Sequence, residues 1–317
     1  MAAEPAGPRT LTTLGHGYDE RDRGKEGAMS RTDKPIIVGV DGSPASLDAA
    51  AWAGEEAVLR DAPLRIMYAV VEWMHYVPLV PQPSPVGPEE AHAVEETLRT
   101  AADCVRAGHP EVEVVTEIVG GGPWDALVTA AEEAQMIVVG SRGLGGFAGL
   151  LLGSVSRHVL SWAPCPAVVV REAPASPRGT IVAGVTGRSG QAPVLDFAFR
   201  EAELRGASLR LLHGWTPPAV PSIGDKPPIA YDLEGIGRSA EIMLAEAVAG
   251  WRAKFPDVRV IKEVVRAHPA KALADASAAH DLTIVGGRSG LRRMLGMGSV
   301  AHALVHHARG PVAVVRG

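Results

Sequence analysis

The chain has 317 residues, of which 46% are hydrophobic and 21% charged, with a formal net charge of −5. That length holds about two domains of ordinary size, and the balance is the profile of a soluble globular protein. The negative charge offers no basic face to nucleic acid or to an anionic membrane. No apolar run approaches the roughly 18 residues of a membrane helix, so membrane insertion is not expected. Two cysteines, Cys104 and Cys165, cannot build a disulfide framework and form no CxxC pair, which points to a reducing cytoplasm.

Residues 1–33 are polar and charged, without the apolar segment of a secretory signal. They read as a disordered tail, with Met29 as an alternative start. The globular pattern begins at Lys34. Residues 35–40 form an apolar run ending in a turn, and 46–60 follow with helical period. Ser43 or Ser46 can cap that helix, because a hydroxyl there accepts a first-turn N–H. A second strand is expected over 64–71, then a Pro-rich loop over 78–88 and a helix over 89–107. Residues 112–119 read as a third strand. Gly120-Gly121-Gly122-Pro123 then turns into a helix with Pro123 at its first position, where a missing N–H costs nothing. Strands over 136–140 and 166–171 flank a last helix over 153–162.

This pattern occurs twice. Ile36-Ile37-Val38-Gly39-Val40 returns 145 residues later as Ile181-Val182-Ala183-Gly184-Val185. Gly153-Ser154-Val155 returns at the same offset as Gly298-Ser299-Val300, and Pro166-Ala167-Val168-Val169-Val170-Arg171 as Pro311-Val312-Ala313-Val314-Val315-Arg316. Chance does not hold a register that long, so the chain is an internal duplication. Domain 1 is expected over 34–173, a short Pro-containing linker over 174–177, and domain 2 over 178–317. Continuous apolar strands alternating with helices indicate an α/β class: two tandem doubly wound domains, Rossmann-like or flavodoxin-like. Each would be a five-stranded parallel sheet with helices on both faces. Ligands of such sheets bind beyond the carboxyl ends of the strands.

The segment from Val138 to Val155 carries the chemistry. Gly140 and Gly143 stand where a strand ends, and Gly153-Ser154 opens a helix. Glycines let backbone N–H groups approach a polyphosphate, and a helix start adds unpaired donors and partial positive charge. The loop is no Walker A motif, since no Lys precedes Ser154, and Gly143-Leu144-Gly145 lacks the final glycine of a dinucleotide fingerprint.

Gly140-x2-Gly143-x9-Gly153-Ser154 resembles the ATP-binding signature of the universal stress protein family. Val38-Gly39-Val40-Asp41-Gly42-Ser43, Gly122-Pro123-Trp124-Asp125 and Cys165-Pro166 are similar to family segments in the same order, and the likeness covers both copies. The resemblance implies ATP as the ligand, with any Mg carried by its phosphates. It implies that Asp41, with the backbone of Gly39 and Val40, contacts the adenine–ribose end, and that Ala69 lies against adenine. Val139, Gly140 and Gly143 would border ribose and phosphates, and Gly153, Ser154 and Val155 would hold the phosphates. Arg142 is added on electrostatic grounds, as a cation near the phosphates. The implied role is a nucleotide-dependent regulator in bacterial stress such as hypoxia, stationary phase or dormancy, with slow or no hydrolysis and an unidentified protein partner. No lysine, water-positioning base or arginine finger marks an efficient hydrolase. An ATP-using enzyme of a related fold and a cAMP or AMP sensor are the competing readings.

The second copy departs from the signature. Thr186 replaces Asp41, Ser289 replaces Gly143, and the loop to Gly298 is one residue shorter. A threonine supplies no carboxylate, so this site is expected to be degenerate, with Arg292-Arg293 either compensating or facing solvent. His302 and His306 have i, i+4 spacing, but without further ligands they read as solvated histidines. Glu55 and Glu56 read as helix-surface carboxylates. The Val-rich last strands, 167–171 and 312–316, are candidate edges that either join two chains in a homodimer or pair internally as a pseudo-dimer.

Overall fold

The computed structural model describes residues 34–70, 87–144, 151–171, 176–187, 190–217, 232–288 and 296–316. The expected tail, most of the Pro-rich loop, part of the linker, and Ser289, Arg292 and Arg293 lie outside the described residues.

Domain 1 runs β1 (Ile36–Gly39), α1 (Pro44–Arg60), β2 (Leu64–Val70), α2 (Pro88–Gly108), β3 (Val114–Gly120), α3 (Pro123–Ala130), β4 (Met136–Gly140), α4 (Ser154–Trp162) and β5 (Ala167–Val170). Domain 2 repeats the order: β6 (Thr180–Gly184), α5 (Ala192–Leu204), β7 (Ser208–Gly214), α6 (Leu233–Lys254), β8 (Val260–Val265), α7 (Pro269–Ser277), β9 (Leu282–Gly286), α8 (Ser299–His307) and β10 (Val312–Val315). Helix α1 starts two residues earlier than its hydrophobic period suggests. Pro44 occupies its first turn, and Ser43 is the cap, accepting the Ser46 N–H at 3.2 Å.

Each domain contributes five parallel strands, and the two expected sheets are halves of one ten-stranded sheet ordered β3-β2-β1-β4-β5-β10-β9-β6-β7-β8. The join is the one antiparallel pair among the described residues, with Val312 opposite Val169 and Val314 opposite Ala167. The two Val-rich edges therefore satisfy each other within the chain, and neither is left as a template for a second copy.

Successive strand residues point to opposite faces, and both faces are covered. Ile36, Val38, Ile66 and Val138 pack under α1 and α2, continuous with Phe199 and Leu244 of domain 2. Ile37, Ile137, Val139 and Val169 pack under α3, α4, α7 and α8. Two-sided burial is why these strands read as unbroken apolar runs rather than alternating ones.

The two domains also meet through charge. Glu56 and Glu201 are buried, and Arg60 and Arg205 lie beside them. Each arginine pairs with both glutamates, so the four form a closed ring between the carboxyl ends of α1 and α5. Glu56, expected on a helix surface, is instead 1% exposed, because that stretch of α1 faces the other domain rather than solvent.

Candidate functional site

β1 and β4 are neighbours, with Gly39 in register with Val139. β1 leads into the helix layer of α1 and β4 into the opposite layer of α4. The chain thus leaves the two carboxyl ends in opposite directions and opens a crevice between them, the place where such sheets bind ligands.

Asp41 stands at the mouth of this crevice, just past β1. Its Oδ1 accepts the Ser43 N–H at 3.1 Å, and its Oδ2 accepts the Leu144 N–H at 2.9 Å. The carboxylate thereby ties the loop after β4 to the loop after β1. Two oxygens offer about four lone-pair sites, so acceptor capacity remains for a ligand hydroxyl. Ser43 adds a second tie, its Oγ donating to the Arg142 carbonyl at 3.1 Å. Ser46 supports the turn from below: its Oγ donates to the Ser43 carbonyl at 2.8 Å and accepts the Asp41 N–H at 3.3 Å.

Two glycines are required by these approaches. A Cβ on Gly140 would lie 2.6 Å from the Ala45 carbonyl oxygen and 2.9 Å from the Ser46 nitrogen, both backbone atoms at the start of α1. A Cβ on Gly143 would overlap Asp41 Oδ2. The glycine pair is thus what lets the β4 loop lie against α1 and Asp41.

Beyond the loop, the Gly153 N–H donates to the Ser141 carbonyl at 2.8 Å, bringing the α4 start back to the end of β4. The Ser156 hydroxyl fastens it there by donating to the Gly140 carbonyl at 2.6 Å. Gly153 is the N-cap of α4 and no side chain caps this helix, in contrast to α1 with its Ser43 cap. The first-turn amides of α4, including those of Ser154 and Val155, are therefore left for other acceptors.

Of the residues singled out in the sequence, Asp41, Gly140, Gly143, Gly153 and Ser154 come together in this arrangement. Val40 and Val139 are buried, with side chains in the two opposite cores, so only their backbone faces the crevice. Gly39 packs on Leu127, whose Cδ1 lies 2.8 Å from where a Cβ would stand. Ala69 is half-buried near the end of β2, paired with Val119. Arg142 is exposed, and its contact here is through its carbonyl oxygen rather than its guanidinium. Tyr68 belongs to the same neighbourhood: burial, and then the Asp41 charge, push its phenol above the usual value. Ser156 and Tyr68 carry no signature at the sequence level, because their partners, the Gly140 carbonyl and the Asp41 carboxylate, are distant along the chain, while Ser46 shows only its capping propensity.

The second copy closes over the equivalent place. The Thr186 and Gly187 N–H groups both donate to Gln191 Oε1 at 3.1 Å, so a side-chain amide holds the turn that Asp41 and Ser46 hold in domain 1. Met243 of α6 sits directly on Gly187, where domain 1 has Thr97 over Gly42. The His213 ring, through Nδ1, bonds the Val185 carbonyl at 2.7 Å, the counterpart of the Val40 carbonyl. Further along, the rings of His302 and His306 lie 4.7 Å apart, and no group of three or more metal-ligating side chains occurs among the described residues. No helix among the described residues is long and apolar enough to cross a membrane.

The sequence model of the universal stress protein family matches the chain twice, over residues 33–171 and 177–316. A universal stress protein of Mycolicibacterium smegmatis is 37% identical over 297 residues, covering 91% of this chain and 99% of its own. One of Mycobacterium tuberculosis is 36% identical over 293 residues, covering 89% and 96%. A universal stress protein structure from Archaeoglobus fulgidus superposes with a TM-score of 0.61 at 18% identity, covering 89% of this chain and 98% of that one, which is a likeness of fold. With both copies matched and relatives aligned over nearly their whole length, the chain belongs to the universal stress protein family.

Proposed function

We propose that domain 1 binds ATP and that the protein works as a nucleotide-dependent regulator in a bacterial stress response, with slow or no hydrolysis. The observation that carries this reading is the Asp41–Gly143 approach at the switch point, beside a helix start without a side-chain cap. The cradle fits the group: a Cβ at Gly140 or Gly143 would fill it, and the amides of Ser154 and Val155 are suited to phosphate oxygens. Asp41 would accept ribose hydroxyls, and Ala69 and the Val40 backbone would border the base. Mg, where present, would come with the phosphates.

Domain 2 is read as degenerate. It lacks the carboxylate, Met243 covers Gly187, and His213 engages the carbonyl at the base end. ATP occupancy of domain 1 would bias association with another protein, in a cytoplasm that the two-cysteine composition suits. Denaturing the purified protein, quantifying released nucleotide, and titrating ATP, cAMP and AMP by calorimetry tests the reading. We expect one ATP per chain, lost in Asp41→Ala and Gly143→Ala. Absence of ATP binding, or a preference for cAMP, overturns it; turnover well above about 1 s⁻¹ would move the protein to the enzymes.

A further inference from the structure

The ten-stranded sheet ends in β3 and β8, and among the described residues neither strand has a neighbour on its outer side. Each carries a large apolar side chain at the same place in its repeat: Val115 is 47% exposed and Ile261 42%. Glu113 and Glu117 flank Val115 on its own face of the sheet, and Arg259 and Glu263 flank Ile261 in the same way. The two edges are therefore alike in shape and different in charge.

An unpaired edge is a template for another strand, and its outward backbone groups decide how that strand can lie. The Leu209 and Trp215 N–H groups donate to the Arg259 and Val265 carbonyls at 2.8 and 3.0 Å. Residues 259, 261, 263 and 265 therefore turn their backbone groups toward β7, and Val260, Lys262 and Val264 turn theirs outward.

Two copies of β8 that meet antiparallel about a two-fold axis at Ile261 complete a consistent ladder. Val260 of each copy then opposes Lys262 of the other as a hydrogen-bonded pair. The two Ile261 side chains meet as a non-hydrogen-bonded pair, where side chains lie closest. On the same face, Arg259 of each copy opposes Glu263 of the other. Arg210 of β7 already bonds Glu263 Oε2 and holds its carboxyl below the usual value, so the group is charged and Oε1 remains for a second cation. Arg259 is exposed.

The alternatives are worse. An axis at Lys262 sets lysine against lysine, and an axis at Glu263 sets glutamate against glutamate, which is unfavourable for residues directly opposite. β3 paired with itself about Val115 opposes Glu113 to Glu117 on both sides of the axis. β3 paired with β8 opposes Glu113 to Glu263 and makes an open-ended chain rather than a closed pair.

We propose that the protein forms a homodimer through the β8 edge, with Ile261 at the two-fold axis and an Arg259–Glu263 pair on either side. The sheet then runs on from one chain into the other. This surface lies at the outer end of the sheet, away from β1 and β4, and does not depend on which nucleotide domain 1 takes.

Sedimentation equilibrium of the full-length chain at micromolar concentrations is expected to show a dimer whose dissociation constant rises at least tenfold in Lys262→Pro. Proline there removes an outward N–H and spares the β7 ladder, the setting in which a sheet tolerates it. Thr116→Pro makes the same change at the same place on β3 and is expected to leave the dimer intact. Arg259→Glu should weaken the dimer at least tenfold, by setting two carboxylates opposite each other. Crosslinking reads the register, in a Cys104→Ser, Cys165→Ser background. Ile261→Cys is expected to oxidise to a covalent dimer, because a non-hydrogen-bonded pair holds its Cα atoms about 4.5 Å apart, within reach of a disulfide. Lys262→Cys should crosslink at least tenfold more slowly, its two copies being diagonal at about 7–8 Å. A wild-type chain that stays monomeric overturns the proposal, as does a dimer that survives in folded Lys262→Pro or is lost only in Thr116→Pro. Ile261→Cys crosslinking no faster than Lys262→Cys also overturns it, and that comparison decides alone if Lys262→Pro does not fold.

Discussion

Arg171 and Arg316 are exchanged partners: each follows the last strand of its own domain and caps the last helix of the other. Arg171 donates to the His306 and Val305 carbonyls at the end of α8, at 2.9 and 3.0 Å, and to the Leu151 carbonyl at 2.8 Å. Arg316 donates to the Ala163 carbonyl at 3.2 Å and to that of Leu160, at the end of α4. A guanidinium at a helix carboxyl end satisfies orphan carbonyls and opposes the negative end of the dipole. The β5–β10 ladder is therefore braced on one side of the sheet by two reciprocal caps, and on the other by the Glu56–Arg60–Glu201–Arg205 ring.

The caps predict that Arg171→Ala and Arg316→Ala each destabilise by about 1–3 kcal/mol, the range for losing hydrogen bonds to a charged group. The effect appears as a lower urea midpoint, whereas Arg99→Ala, on an exposed face of α2, stays within about 0.5 kcal/mol. Lysine is expected to rescue poorly, because a single ammonium cannot reach two carbonyls with the geometry of the fork. A midpoint unchanged in both alanine variants would remove the caps from the account of domain pairing.

Much of this architecture is legible in the sequence, and the part that is not has a common cause. The duplication, the element order within each domain, and the Gly140, Gly143 and Gly153 positions rest on local period and on spacing along one stretch of chain. The ring around Glu56 rests on contacts between residues about 145 apart, where helix period says only that a position faces inward or outward. A signal does exist: Glu56 and Arg60 recur as Glu201 and Arg205 at the repeat offset, a charged pair kept in both copies on Ala-rich helices. The role of Gly143 also differs in kind from its sequence reading. As a phosphate-loop glycine it keeps a Cβ off the ligand's path, whereas the nearest obstacle to a Cβ there is the Asp41 carboxylate itself.

That contact predicts a coupling between positions 41 and 143. In Gly143→Ala the new methyl overlaps Asp41 Oδ2, so the loop must move and the Leu144 N–H bond to Asp41 is lost. In Asp41→Ala the obstacle is gone. The double variant should therefore be less destabilised than the sum of the singles, with a coupling energy of about 0.5–3 kcal/mol. Thermal unfolding of the four proteins, without nucleotide, measures it; simple additivity would show that the two loops do not meet in solution. Domain 2 matches this logic at the sequence level, since the copy without the carboxylate also has serine in place of the glycine.

The buried ring predicts an unusual pH dependence. Burial pushes the Glu56 carboxyl up to about 7, against the pull of Arg205 and with Glu201 adding to the rise. The unfolded chain releases this proton near its ordinary value of about 4.3, whereas the folded protein keeps it until about pH 7. The folded state then binds more protons than the unfolded one between those values, so this contribution is full below about 4.3 and is lost as pH rises through about 7. Between about pH 5 and pH 8 the wild type should lose more of its urea midpoint than Glu56→Gln, which has no proton to release. Equal losses in the two proteins would mean that Glu56 is ionised throughout the range.

The closed state of domain 2 should be reversible by substitution. Three of the features that separate it from domain 1 at the same place can be reversed together: Thr186 for the carboxylate, Ser289 for the glycine, and Met243 over Gly187 where domain 1 has Thr97. Thr186→Asp alone is insufficient, because Ser289 brings a Cβ to the position aligned with Gly143, and in domain 1 a Cβ at Gly143 overlaps Asp41 Oδ2. Thr186→Asp with Ser289→Gly restores the pair, and Met243→Thr uncovers the turn. Calorimetric titration of the triple variant should rise from one ATP per chain to two. The second equivalent should disappear in the double variant that keeps Thr186 and carries only Ser289→Gly and Met243→Thr. A stoichiometry that stays at one in a folded triple variant would transfer the closure to His213, whose ring holds the Val185 carbonyl, and to the shortened loop.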